Sequence, residues 1–305
     1  MFRILVTGAT SWEGARLINR LLHRGGVTVI AVDDEDRRAL PVPLHRSTLD
    51  TLDFAHFVVA SNPSAIIHLA TADRSERIGK DRSRESVILG TQALFGATER
   101  LRELEHVVLR SEGNVYGIGN RRTLIAREEQ LPSGQGARHA RALREVETYA
   151  KEASKAAGVP LAILRPAESI GPRFDTPFAH LLRLPVVPIL WGFDPLLQLI
   201  DEDDLRDAFL HAVDHRLDGA FNVAPQGPLY LSQILRLAHI RAQRLPKPQL
   251  ESAHRFLKRG GLTVPTQTRA LLRHGRVLTG DGLAMAGFQP RHTTRDVASG
   301  MAEIR

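Results

Sequence analysis

Residues 3–14, Arg3-Ile-Leu-Val-Thr-Gly-Ala-Thr-Ser-Trp-Glu-Gly14, constrain this chain more than any other stretch. A short apolar run breaks into a glycine turn, and a helical pattern begins at once. That is the layout of a first strand and helix folded around a dinucleotide pyrophosphate. Gly8 suits the tight turn, and Gly14 lets the helix pack closely on the strand. Thr7, Gly8, Thr10, Ser11, Trp12, Glu13 and Gly14 are therefore candidate cofactor-binding residues. Two of them depart from the pattern. Ser11 stands where a middle glycine is expected and adds a side chain where backbone must approach phosphate. Glu13 brings a carboxylate to the same place. At about 5 Å from a phosphate charge it would cost about 3 kcal/mol at an effective dielectric near 20. Micromolar binding is only about −8 kcal/mol in total. If Glu13 points inward, dinucleotide affinity falls by orders of magnitude; if it points away, it complements the helix dipole.

Strand and helix signals alternate through the first half. Ile4–Val6 and Val27–Val32 are β-branched or apolar runs, and Leu17, Ile18, Leu21 and Leu22 mark one helix face between them. Ala65–Ala70, His106–Leu109 and Val159–Leu164 read as further buried strands, with helices near Glu85–Leu104 and Arg138–Ala157. Strand, helix, strand at this spacing requires right-handed crossovers. The result is a parallel sheet covered on both faces. The expected fold is α/β, a doubly wound parallel sheet of Rossmann type with a smaller interleaved C-terminal lobe. We place the nucleotide-binding domain at residues 1–165 and the lobe at 166–305, with segments near 196–225 returning to the first part. Past Pro166 prolines crowd Pro172–Pro195. Asp201–Val213 then reads as helix and Gly219–Val223 as one more strand.

Composition narrows the function. The 305 residues contain no cysteine, which excludes disulfides, thiolate metal sites and a cysteine nucleophile. No apolar run approaches the ~18 residues that span a bilayer. The opening strand does not read as a signal peptide, so we expect a soluble cytoplasmic protein. The net charge of +7 comes mainly from arginine. Residues 236–276 hold ten lysines and arginines against one acid, Glu251. Few aromatics interleave with these charges as a stacking platform would require, so a solvated face is expected and no nucleic-acid partner.

The succession Thr7–Gly14, His68-Leu-Ala70, Gly90-Thr91, Val115-Tyr-Gly117, Leu164-Arg-Pro166, Gly171-Pro172 and Asp203-Asp204 resembles the extended short-chain dehydrogenase/reductases. Within these it resembles the NAD-dependent epimerase/dehydratases that include the UDP-glucose 4-epimerases. The likeness runs from residue 3 to about residue 225, in order and in register. It implies NAD or NADP as cofactor, a sugar nucleotide as ligand, and a homodimer formed through the helices near 85–104 and 138–157. It also implies that Leu69 and Ala70 line the cofactor. Asp33, closing the second strand, sits where an acid bonds the ribose 2′-hydroxyl, which favours NAD, although Arg37 and Arg38 lie close by. Its plainer reading is a strand-end turn in the acidic run Asp33–Asp36. His68 is read as structural, since it lacks co-ligands at metal spacing, and no metal site is expected.

The catalytic positions depart from the family. The resemblance implies a Ser or Thr where this chain has Glu112, and a Tyr-x-x-x-Lys pair where it has His139 and Leu143. An asparagine is implied at Val87, another at Glu168, a histidine at Asp201, and an aspartate near Thr48-Leu49. The family's chemistry needs a phenol made acidic by a neighbouring ammonium, and leucine lowers no neighbour's pKa. Two readings follow. Glu112 and His139 could form a substitute acid–base pair, or the site has lost its chemistry and the chain serves as a ligand-binding, structural or regulatory protein. The joint replacement at Val87, Glu112, His139 and Leu143 favours the second.

Overall fold

The computed structural model describes residues 2–70, 82–117, 125–131, 138–171 and 176–303. Pro172, part of the Gly171-Pro172 motif, lies outside them. Two compact units divide the chain. One comprises Met1–Glu112, Arg141–Arg165 and Arg206–Phe221, the other Gly113–Ala140, Pro166–Leu205 and Asn222–Arg305.

The first unit is built on a seven-stranded sheet. Its strands are β1 (Phe2–Thr7), β2 (Val27–Asp33), β3 (Leu44–Arg46), β4 (Ala65–His68), β5 (His106–Arg110), β6 (Leu161–Pro166) and β7 (Gly219–Val223). They lie in the order β7-β6-β5-β4-β1-β2-β3. The pairings β1–β2, β1–β4, β2–β3, β4–β5 and β5–β6 are all parallel. The central strands are buried at every position, which is why they read as unbroken apolar runs and not as alternating patterns. The order reverses between β1 and β4, so the loops after those strands open the crevice where ligands of such sheets bind.

Helices α1 (Trp12–Arg24), α2 (Leu52–Ser61), α3 (Arg82–Thr98) and α4 (Arg138–Ala157) flank these strands in the chain. α1 begins at Ser11 and stops at Gly25, whose φ of 71° suits glycine. It buries Leu17, Ile18 and Leu21, the face legible in its sequence. One core joins Leu5, Val32, Phe54, Ile66, Leu94, Phe95, Val107, Val146 and Ile163. Two boundaries differ from the sequence reading. The strand at 65–70 ends at His68, with Leu69 N–H giving the ladder's last bond to Thr7 O. The helix expected to Leu104 ends at Thr98, where Arg100 N–H bonds Ala97 O and Leu101 N–H bonds Thr98 O. Leu101 and Leu104 stay buried, so the apolar pattern reported burial and not helix.

The second unit holds short strand pairs. Val186–Leu190 runs parallel to Arg241–Leu245, and Leu199–Asp201 parallel to Glu168–Ile170. They surround a core of Phe178, Leu181, Val187, Leu199, Leu231, Ile234 and Leu271. No helix among the described residues is long and apolar enough to cross a membrane.

The glycine turn and the buried histidines generate two tests. A Cβ on Gly14 would lie 2.4 Å from Gly8 O and 2.8 Å from Ala9 O, both backbone atoms that cannot swing aside. Gly14→Ala should therefore destabilise the protein by about 1–3 kcal/mol, read by urea unfolding. An unchanged midpoint would show that the turn tolerates a methyl group. His106 is buried at the start of β5, and desolvation pushes its pKa down despite the hydrogen bond to Leu217 O. His254 is lowered by burial first, then by Arg269. A histidine with a depressed folded pKa binds fewer protons folded than unfolded. Stability should then fall as pH drops below the ordinary 6.5, by at most about 1.4 kcal/mol per pH unit per group. Unfolding free energies at a series of pH values check this, and His106→Asn should flatten the profile.

Candidate functional site

The turn after β1 closes on itself. Gly8 has φ 69°, Ser11 N–H donates to Gly8 O at 3.1 Å, and Ala15 N–H donates to Ser11 O at 2.9 Å. Ser11 is the N-cap of α1 with φ −62°, a conformation that requires no glycine. Its hydroxyl donates to Gly8 O at 2.6 Å and accepts from Gly14 N–H at 3.0 Å. The side chain expected to crowd a phosphate is folded back onto its own loop, capping the helix.

Asp33 fastens this turn to β2. Its Oδ2 accepts both Thr10 N–H and Thr10 Oγ1–H at 2.8 Å, and Oδ1 accepts Asp34 N–H at 2.9 Å. The aspartate is 1% exposed. Trp12 lies on the outer side of the turn with two guanidiniums over its ring, Arg38 at 5.3 Å and Arg16 at 5.6 Å. Arg38 Nη1 also donates to Thr10 O at 3.0 Å.

Glu13 points inward. Its side chain is 11% exposed, and Oε2 accepts from Arg110 Nε at 3.0 Å. Oε1 is buried without a hydrogen-bond partner among the described residues. Arg110 ends β5 and is itself buried, with Nη1 3.6 Å from Glu112 Oε1. The carboxylate that looked hostile to phosphate is thus half of a buried ion pair, and Arg110 is held between two glutamates. The repulsion reckoned for a bare carboxylate is largely cancelled where the guanidinium neutralises it.

Beneath the turn, Thr7 Oγ1 lies 2.6 Å from His68 Nδ1, and Thr91 Oγ1 lies 3.0 Å from His68 Nε2. Thr91 Oγ1 gives its proton to Val87 O, so in the neutral ring Nε2 donates to Thr91 and Nδ1 accepts from Thr7. Leu69 and Ala70 follow β4 and are buried.

Of the positions implied for catalysis, Glu112 and Val87 are half-buried and His139 and Leu143 buried. Glu112 follows β5. His139 and Leu143 lie one turn apart on α4, on one face, 5% and 3% exposed. Deeper along α4, Glu147 meets Arg165 at the end of β6. Arg165 Nε and Nη2 reach the two carboxylate oxygens at 2.9 and 2.6 Å, and Ser111 Oγ donates to Glu147 Oε1 at 2.5 Å. Both charged side chains are fully buried.

In the second unit, Tyr116 of the Val-Tyr-Gly motif donates its hydroxyl to Asn222 Oδ1 at 2.7 Å. Glu168 pairs with Arg276, which also donates to Asn114 Oδ1 at 2.8 Å. The last arginine of the basic stretch is therefore buried and neutralised. Asp204 Oδ2 accepts both N–H and Nδ1 of His292, at 2.8 and 3.0 Å. Asp201 Oδ1 accepts Asp203 N–H at 2.8 Å at the start of the helix Glu202–Asp214. Asp201, Asp204 and His292 gather their ligand-type atoms within 4.8 Å, but Arg291 Nε stands 3.6 Å from Asp204 Oδ1 and opposes a cation. The cluster anchors the loop at 291–292.

Arg110, Ser111 and the pairing of Glu147 with Arg165 went unread in the sequence. A charged residue terminating a buried apolar strand, as in Val107-Val-Leu-Arg110 and Ile163-Leu-Arg165, was the available signal. An arginine in that place must find a buried carboxylate.

A glycine turn opening a helix at the switch point of a doubly wound sheet defines a nucleotide-binding α/β protein. The profile of the NAD dependent epimerase/dehydratase family matches residues 4–224, and the chain belongs to that family. An uncharacterised protein of Mycobacterium tuberculosis is 30% identical over 311 residues, covering 95% of this chain and 81% of its own length. Among solved structures, the UDP-glucose 4-epimerase of Thermus thermophilus, in complex with NAD, superposes with a TM-score of 0.77 at 20% identity. It covers 99% of this chain and 98% of its own. The Thermotoga maritima UDP-glucose 4-epimerase, solved with UDP-glucose, gives 0.76 at 19% identity and the same coverage. These likenesses concern the fold.

The residues present fit a dinucleotide at the turn. Gly8 takes the left-handed conformation of the tight turn, Gly14 lets α1 pack directly on that turn, α1 presents its N-terminus, and Arg110 offsets Glu13. The buried ion pair gives the test for this subsection. Arg165→Met should destabilise by about 3–5 kcal/mol because it leaves Glu147 charged and unpaired. Adding Glu147→Leu should recover part of that loss in chemical unfolding. Losses of Arg165→Met and Glu147→Leu that simply add in the double variant would mean that the pair is not coupled.

Proposed function

We propose that this chain is an epimerase/dehydratase-family protein that binds an adenine dinucleotide and a sugar nucleotide but performs little or none of the family's oxidoreductase chemistry. It acts as a ligand-binding or regulatory protein. What supports the reading is Leu143, buried on α4 one turn beyond His139, at the position where the resemblance implies the family's ammonium. The dinucleotide supplies hydride acceptance when bound. The rest of the reaction needs a phenol or comparable acid whose proton is made labile by a nearby cation. A buried isobutyl group supplies no such field. Glu112 brings a carboxylate where the resemblance implies a neutral hydroxyl.

Thr7, Gly8, Thr10, Ser11, Trp12, Glu13, Gly14, Leu69 and Ala70 would line the dinucleotide. Asp33 would act by fixing Thr10. Replacing Glu13 leaves Arg110 a net cation facing the turn, so Glu13→Gln should tighten dinucleotide binding by about tenfold, roughly 1.4 kcal/mol. Arg110→Met should weaken it by at least as much, and calorimetric titration of both variants reads the effects. Opposite signs would separate the ion pair from the ligand.

The purified protein should show no NAD- or NADP-dependent turnover of UDP-glucose or UDP-galactose. Turnover that disappears in His139→Ala would overturn the reading and make His139 the acid–base group. Helices α3 and α4 form the homodimer surface in this proposal. Leu89 on α3 is 44% exposed, and Tyr149 of α4 donates its hydroxyl to Gln92 O at 3.3 Å, joining the helices into one surface. Leu89→Arg should shift the protein from dimer to monomer in sedimentation, whereas a monomeric parent would dispose of the dimer.

A further inference from the structure

Arg38 is a cation held in place by a carbonyl and an aromatic ring. Its backbone lies in the loop after β2, and its side chain is half-buried. Nη1 donates to Thr10 O at 3.0 Å, and the guanidinium carbon stands 5.3 Å from the centre of the Trp12 ring. Arg37, its neighbour, pairs with Glu35 at 2.6 Å. No carboxylate pairs with Arg38 among the described residues. A carbonyl and an aromatic face fix its position and use one of its five N–H donors, so the remaining fork is pre-organised for an anion. Arg16, 5.6 Å from the same ring, adds positive charge on that side of Trp12.

The acid beside it is occupied. Asp33 Oδ2 accepts two hydrogen bonds from Thr10 and Oδ1 accepts one from Asp34 N–H. Three of the roughly four acceptor sites of the carboxylate thus serve the turn. Reading a ribose diol requires that carboxylate to face the ligand with its lone pairs open, and at 1% exposure it does not. In sheets of this kind an acid after the second strand selects the unphosphorylated ribose, while an arginine nearby accommodates a 2′-phosphate. Here the acid is a clamp and the arginine is the open group.

We propose that Arg38, seated on Trp12 with Arg16 alongside, receives the 2′-phosphate of the adenine dinucleotide, so that this chain selects NADP over NAD. The inference rests on the dinucleotide reading above and reverses the preference that Asp33 suggests in the sequence. The phosphate carries close to two negative charges. Guanidinium is matched to such an oxyanion by its bidentate geometry. The exposed Asp34 and Asp36 oppose the phosphate through solvent, where charges are screened, whereas Arg38 acts from a half-buried position.

The test uses the protein's two tryptophans, Trp12 and the exposed Trp191. Trp191→Phe leaves Trp12 as the sole fluorophore, next to the proposed site. Its fluorescence should respond to adenosine 2′,5′-bisphosphate and to NADP, and calorimetry on the unaltered chain should give NADP a Kd at least about tenfold below that of NAD. Arg38→Ala should erase this advantage while leaving the Kd for NAD nearly unchanged, and Arg38→Lys should restore part of it. NAD binding as tight as NADP, or an NADP advantage that survives Arg38→Ala, overturns the proposal while the dinucleotide reading stands. Failure of both dinucleotides to bind takes down both readings.

Discussion

The Glu147–Arg165 ion pair holds the working end of the sheet together. It joins the middle of α4 to the end of β6, and Ser111 adds the residue that follows β5. Two full charges with no access to water persist only because the guanidinium and carboxylate meet as a fork on a fork. Breaking one side strands the other in a medium that cannot solvate it. The pair fixes the middle of α4 against the end of β6, and so sets the position along which the rest of the helix runs.

A second buried pair, Glu13 with Arg110, does the opposite kind of work. It sets the electrostatics of the turn and leaves the architecture alone. One guanidinium between Glu13 and Glu112 turns a region with two negative charges into one with a single net charge, most of it away from the helix N-terminus. A glutamate in a glycine turn of this kind and an arginine at the end of β5 are each anomalous alone. Together they compensate, and the compensation spans 97 residues of sequence.

That separation explains what could and could not be read from the chain. The central strands were legible because a parallel sheet buried on both faces writes itself as continuous aliphatic runs, as in Ala65–His68 and Leu161–Leu164. The boundaries of α4 were legible from its periodicity, and the family from motifs in register. The end of α3 was not, since Leu101 and Leu104 continue the apolar rhythm after the backbone has turned. The residues of the glycine turn stand together in the sequence, but the direction of Glu13 depends on Arg110. The function of Asp33 likewise depends on whether Thr10 reaches it. Local patterns report which groups are present. Pairings between distant strand ends decide what those groups are free to do.

Ser11 carries one more consequence. A turn whose own hydroxyl bonds both its first carbonyl and its helix N–H is templated from within, so its shape does not depend on what it holds. Occupancy and folding are then separate problems for this chain. A substitution that leaves Gly8, Ser11 and Gly14 in place would then keep the shape of the turn whatever it does to binding.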